Sequence, residues 1–281
     1  MNAHWQNGHK EYHKEQKQRA KERREGTVVE DNRLVAEEEA RRAERMGSEY
    51  SKRFAAALAL VAEGDNDGAA TKAWRKLIKE RPEAPAPYHN LAIALDRSDR
   101  NLESAQMYLK AMELYPDGIE AWADSTSSAF HVLRLDDCDE MPKPEWWNDE
   151  ALKALSARVV TVAPDRTQSC AMRALVLSGG ALFSEPPWNV GPRTAAEIKE
   201  AAAWYRRTAM VTRTPADKLR FEQHARLCDE VADPLLAKEE ADAAKARAAD
   251  EAEAAKARAA AEAEAAEVLK VAEAKAAAAA E

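Results

Sequence analysis

Cysteine is scarce in this 281-residue chain, and so are aromatic residues. Cys138, Cys170 and Cys228 lie far apart without metal-ligand spacing, which argues against both a disulfide framework and a structural metal. An odd, sparse count fits a reducing compartment, so a cytoplasmic location is expected, with a nuclear one as the alternative. Aromatics make up 6% of the chain, charged residues 33%, and mean hydropathy is −0.62. That balance suits thin-cored helical repeats with wet surfaces better than a compact enzyme. No apolar run approaches the roughly 18 residues that a transmembrane helix needs. The first twenty residues hold no apolar stretch that would serve as a secretory signal. Net charge is −8, which argues against general attraction to nucleic acid or to an anionic membrane.

Catalytic constellations are absent too. No carboxylate pair, Ser/His/Asp set or Cys/His set stands out, and His131 and His224 are isolated on helical stretches. Gly179-Gly180 precedes no Lys-Ser/Thr pair, which excludes a phosphate loop and leaves a hairpin turn. His9 and His13 are spaced i, i+4 but lack third and fourth metal ligands. The expectation is a protein that is not an enzyme and that uses no cofactor or metal.

What the chain does have is a beat. Pro82 and Pro116 lie 34 residues apart, and Trp74/Tyr108, Leu77/Ala111, Ala70/Ser104 and Tyr88/Trp122 keep the same offset. A fixed period of that length signals stacked helical hairpins. In the clearest unit, residues 85–118, the small Ala92, Ala105 and Ala111 sit where paired helices approach closely. Leu91, Leu95, Tyr108 and Leu114 fill the space between, all on inward faces at helical period. The preceding unit, 51–84, turns at Gly64-Asp65, with a connection one residue longer.

Residues 51–118 resemble two tetratricopeptide repeats, through the tyrosine, the asparagine-leucine-alanine run and the closing proline of the second unit; Trp122 opens a third. In that third unit, 119–164, Ser125 and Thr126 stand where Leu91 and Ala92 stand one period earlier, and an insertion at roughly 135–148 carries acid, proline and tryptophan. A fourth unit spans 165–215, with a T-x-x-E capping box at Thr194 and Glu197 starting its second helix. Thr214-Pro215 opens a cap, 216–232. The tryptophans of the insertion and of the loop SEPPWNVG are either anchors or interface hot spots; anchoring is the usual way to order a long loop. The expected architecture is all-α: an α-solenoid of tetratricopeptide-like helical hairpins followed by a long C-terminal alanine-rich helix.

The flanks differ in kind. Residues 1–27 are a charged extension, with seven Lys or Arg against three Glu between Lys10 and Arg24, too poor in apolar residues to order alone. Residues 28–50 read as an exposed amphipathic helix with Glu37→Arg41 and Glu38→Arg42 pairs, broken at Gly47. From Asp233-Pro234 onward, 233–281, alanine supplies 23 of the last 41 residues and an 11-residue period repeats. Little there exceeds alanine in size, which favours a single exposed helix over a coiled coil.

The resemblance implies a concave groove lined by the first helix of each unit, where an extended peptide or a helix of a partner protein lies. The candidate groove residues are Phe54 and Leu58 in unit one; His89, Asn90, Ile93 and Arg97 in unit two; and Glu120, Asp124 and Ser127 in unit three. Asn90 has a competing role, bonding to nearby backbone. Some tetratricopeptide proteins clamp the acidic tails of chaperones with lysines, asparagines and an arginine. Here Glu120 and Asp124 put acids where that clamp needs cations, and unit one offers Ala55 and Ala59, or Phe54 and Leu58; only Asn90 fits. The expectation is therefore a non-catalytic scaffold for protein–protein interaction. Two alternatives stay open: an assembly protein that works or self-associates through its terminal helices, and an RNA-processing factor binding through Lys10–Arg24.

Overall fold

The computed structural model describes residues 47–62, 67–179 and 188–278, with side chains to 262. The charged extension, nearly all of the 28–50 helix, His9 and His13, the Gly64-Asp65 turn and Gly180 lie outside these residues. Among the described residues the chain is all-α: α1 (Glu49–Ala62), α2 (Asp67–Glu80), α3 (Pro85–Arg97), α4 (Asn101–Leu114), α5 (Glu120–Leu133), α6 (Asp149–Val162), α7 (Thr167–Ser178), α8 (Ala195–Val211) and α9 (Pro215–Ala278). One 3₁₀ turn, Asp136–Cys138, follows α5. Consecutive helices pack against each other, forming an α-solenoid of helical hairpins with a long C-terminal helix.

Local chemistry sets the helix ends. Gly47 is left-handed at φ 65°, and α1 begins two residues later. Pro85 starts α3, where its missing N–H costs nothing. Gly118, at φ 86°, turns the chain from Pro116 into α5. Asn148 caps α6 by accepting from the Ala151 N–H at 3.1 Å. Thr194 and Glu197 form the expected capping box at the start of α8.

The beat has a direct structural meaning. Ala70 and Ser104, Trp74 and Tyr108, and Leu77 and Ala111 are all buried at matching positions of α2 and α4. Three apolar clusters follow one another along the stack. The first joins α1–α3 around Trp74, Leu77, Leu91 and Leu95. The second joins α3–α5 around Ala92, Tyr108 and Leu133. The third runs from Trp122 of α5 to Ala232 of α9. Each hairpin thus covers only its neighbours, as in a quasi-one-dimensional stack.

The insertion is clipped down by its aromatic residues. Trp146 and Trp147 pack against both the second and third clusters, and Trp147 lies 6.0 Å from Trp188 of the later loop. Phe130 sits under both, 5.7 Å from Trp147 and 5.6 Å from Trp188. Lys143 Nζ donates to the Leu133 and Cys138 carbonyls at 2.8 and 2.7 Å, closing the C-terminus of α5.

The sequence predicts a boundary at Asp233-Pro234 between the cap and a separate tail. Instead α9 runs unbroken from Pro215 through Pro234 to Ala278, 64 residues or about 96 Å at 1.5 Å per residue. Proline removes a backbone donor and crowds the preceding turn. Contacts on both sides hold the helix through it. Val231 and Leu235 pack on the third cluster, and Lys199 of α8 reaches Asp229 at 3.1 Å and Asp233 at 2.5 Å. Glu239, one turn beyond, accepts from the Ala195 N–H at the start of α8 at 3.2 Å. From Leu236 to Glu262 every residue is exposed.

Candidate functional site

The first helices of units one to three bring the nine candidate groove residues to the stack in two quite different ways. Most of them hold the stack together. Phe54 meets Trp74 edge-on at 5.1 Å, and Leu58 and Ile93 pack against the first cluster. Arg97 of α3 donates to the Val61 carbonyl at 2.8 Å and faces Asp67 at 3.9 Å, closing the end of α1. Asn90 donates to the Ala86 carbonyl of its own helix at 2.9 Å, the local alternative foreseen for it.

His89 and Ser127 turn inward, against the expectation that they line an open groove. His89 Nδ1 lies 2.8 Å from Ser125 Oγ, which itself donates to the Ala121 carbonyl. That arrangement fits an Nδ1–H donating to the serine oxygen. The ring meets Tyr108 edge-on at 5.3 Å, and burial pushes its pKa down to about 4, so it is neutral at pH 7. Ser127 is fully buried and donates to the Ala123 carbonyl at 2.9 Å. Ser125 and Thr126 do likewise to the carbonyls four residues back, which is how this helix buries a hydroxyl-rich face without orphaned donors. These contacts between first helices span 36 residues in sequence, the 34-residue beat plus the lean of one helix on the next.

Glu120 and Asp124 remain on an accessible face. Arg166, from the connection into α7, bridges them: 3.0 Å to Glu120 and 3.8 Å to Asp124. Burial raises the Asp124 carboxyl above its ordinary value, with Arg166 opposing and Glu120 adding to the rise. On the other flank of the α5 N-terminus lies a cleft of about 390 Å³, floored by Trp122, Ala157 and Val162 and crossed by the Asp117–Arg158 ion pair. The Arg158 guanidinium sits 5.0 Å over the Trp122 ring. Ile119, between the two flanks, is exposed. The start of α5 therefore offers acid on one side and an aromatic floor on the other.

Arg166 and Arg158 were not singled out from the sequence. Both follow no period, and their partners lie 46 and 41 residues away, so only packing reveals them. The same is true of Arg193. Its side chain, 4% exposed, pairs with Asp149 at 2.5 and 2.8 Å and donates to the Val176 and Leu177 carbonyls at 2.9 and 3.1 Å. Burial alone would raise the Asp149 carboxyl, but the bonds and charge of Arg193, helped by Lys153 and Trp188, bring it to about 2. Gly179, at φ 51°, makes room: a Cβ there would stand 2.7 Å from Val190 and 2.8 Å from Arg193.

The three cysteine thiols are buried. Burial raises all three thiols, Cys170 to about 11 and Cys228 to about 12, the reverse of an activated nucleophile. Among the described residues no group of three His, Cys, Asp or Glu side chains is arranged to hold a metal ion. No described helix is long and apolar enough to cross a membrane. No protein-family model matches the chain, and no curated protein matches it.

Proposed function

We propose that this chain is a non-catalytic, tetratricopeptide-like scaffold that holds a segment of a partner protein against the first helices of its hairpins. The observation that carries this reading is the accessible end of α5, where Glu120 and Asp124 flank an exposed Ile119 and the Trp122 cleft. A peptide or helix fits that surface if it brings an apolar side chain for Ile119 and the Trp122 cleft and a basic one that shares Glu120 and Asp124 with Arg166. An acidic chaperone tail does not, because two carboxylates stand where it would need cations. The rigid stack orders the surface before the partner arrives, which lowers the entropy lost on binding. A reducing compartment, cytoplasmic or nuclear, suits three buried free thiols.

The test is quantitative affinity capture with the full chain and with the double variant Glu120→Lys/Asp124→Lys. Loss of a defined set of partners supports the reading, and an unchanged set removes it. Asn90→Ala is the internal control, since Asn90 bonds its own helix and its change should leave the partners in place.

A second reading, assembly through the C-terminal helix, rests on the exposed run from Leu236 to Glu262. Sedimentation of a chain ending at 235 separates the two. Loss of an oligomer favours assembly, and an unchanged species removes its main support.

A further inference from the structure

A second surface lies at the other end of the stack. Between α8 and α9 lies an open cleft of about 500 Å³, lined by Arg206, Ala209 and Met210 of α8 and by Lys218, Glu222 and Arg226 of α9. Met210 is 74% exposed, the most exposed large apolar side chain among the described residues, and Ala209 forms a buried floor beside it. Three cations and one acid line this cleft in a chain whose net charge is −8, so the local sign is reversed. Arg206 is held by Asp229, leaving Lys218 and Arg226 as its outward charges.

The spacing is helical. Lys218, Glu222 and Arg226 succeed each other at i, i+4 and i+8, so the two cations stand about 12 Å apart along α9 with an acid between them. We propose that this cleft is a docking site for an acidic amphipathic helix of a partner protein, laid between α8 and α9. Such a helix carries two acids seven or eight residues apart, one for Lys218 and one for Arg226. Between them it carries an apolar residue that covers Met210 and Ala209, because a central acid would meet Glu222. This is the helix-in-groove mode of recognition, with charge setting the register and the apolar anchor supplying the contact. The site is independent of the α5 face, and either can fail alone.

The test is selection of a displayed peptide library on the full chain, counter-selected on the surface variant Met210→Glu/Lys218→Glu/Arg226→Glu, with circular dichroism to check that the variant keeps its helix. The expected survivors are peptides with acids seven or eight apart around an apolar centre. Synthetic versions should bind the native chain in fluorescence anisotropy and lose at least tenfold in affinity on Lys218→Glu/Arg226→Glu. They should weaken with salt and should be indifferent to Glu120→Lys/Asp124→Lys. Survivors without an acidic bias, or with undiminished affinity for the variant, overturn the proposal. A concentration-dependent dimer that Met210→Glu abolishes would also overturn it, by making a second copy of this chain the occupant.

Discussion

The front and rear halves of this stack use the same hairpin plan but are held by different forces. In α1–α4 the joints are mainly apolar residues at repeated positions, with Trp74 and Tyr108 filling equivalent places, alanines letting the helices close and Arg97 adding one polar tie to the end of α1. In α5–α9 the plan is interrupted by two loops, and the joints become long-range and mixed. A layer of Phe130, Trp147 and Trp188 lies beside a largely buried Arg193–Asp149 pair whose arginine also closes the end of α7. A repeat can rely on position. An inserted loop must be tied by specific partners, because nothing in the neighbouring unit repeats to receive it.

The largest effects should come from cutting one joint of each kind. Trp74→Ala should cost about 3–5 kcal/mol, the usual range for emptying a large aromatic site. Arg193→Ala should cost about 3–5 kcal/mol, because Asp149 and the Val176, Leu177 and Gly191 carbonyls lose a largely buried partner. Hydrogen exchange should show where each loss falls: α1–α3 for the first, α6–α8 for the second. Equal loss across the whole chain in both variants would mean that the halves melt as one unit, and the comparison would fail.

Pro234→Ala tests the continuity of α9. Restoring a donor inside an unbroken helix should gain as much as about 3 kcal/mol locally, read as slower amide exchange between 228 and 238. No gain would indicate that the helix is interrupted there.

Acid should separate the two halves in order. His89 has a folded pKa of about 4 against an ordinary 6.5, so the unfolded chain takes up its proton first as pH falls. Stability should drop between about pH 6.5 and 4, by an amount on the order of 3 kcal/mol. Asp149 runs at about 2 against an ordinary 3.8, so its contribution is present above pH 3.8 and is lost as pH falls through 2. His89→Phe should flatten the first phase only, and a nuclear magnetic resonance titration of the His89 ring locates it directly.

The smallest effect tests a local device. Thr194→Ala removes half of a capping box and should cost about 1 kcal/mol, measured by urea unfolding.

Much of the front half was legible from residues alone, because helical period and the 34-residue offset are local properties repeated twice. The capping box of α8 and the proline start of α9 were legible for the same reason. The outcome for the groove candidates was mixed. Glu120 and Asp124 stand on an open face, whereas Ser127 and His89 face inward and Arg97 closes the neighbouring helix. Period places a residue on a face of its helix, but a partner helix leaning across that face decides whether it is open or covered. Arg166, which joins Glu120 to Asp124, had no periodic signal at all.

By itself the sequence determined the helical class, the spacing of the first hairpins and the starts of α8 and α9, since these follow from local period and capping chemistry. Tertiary structure alone decided which polar residues became joints, how the two tryptophan loops meet, and that α9 continues through Pro234. Each of those depends on contacts between residues tens of positions apart, where burial and pairing outweigh local preference.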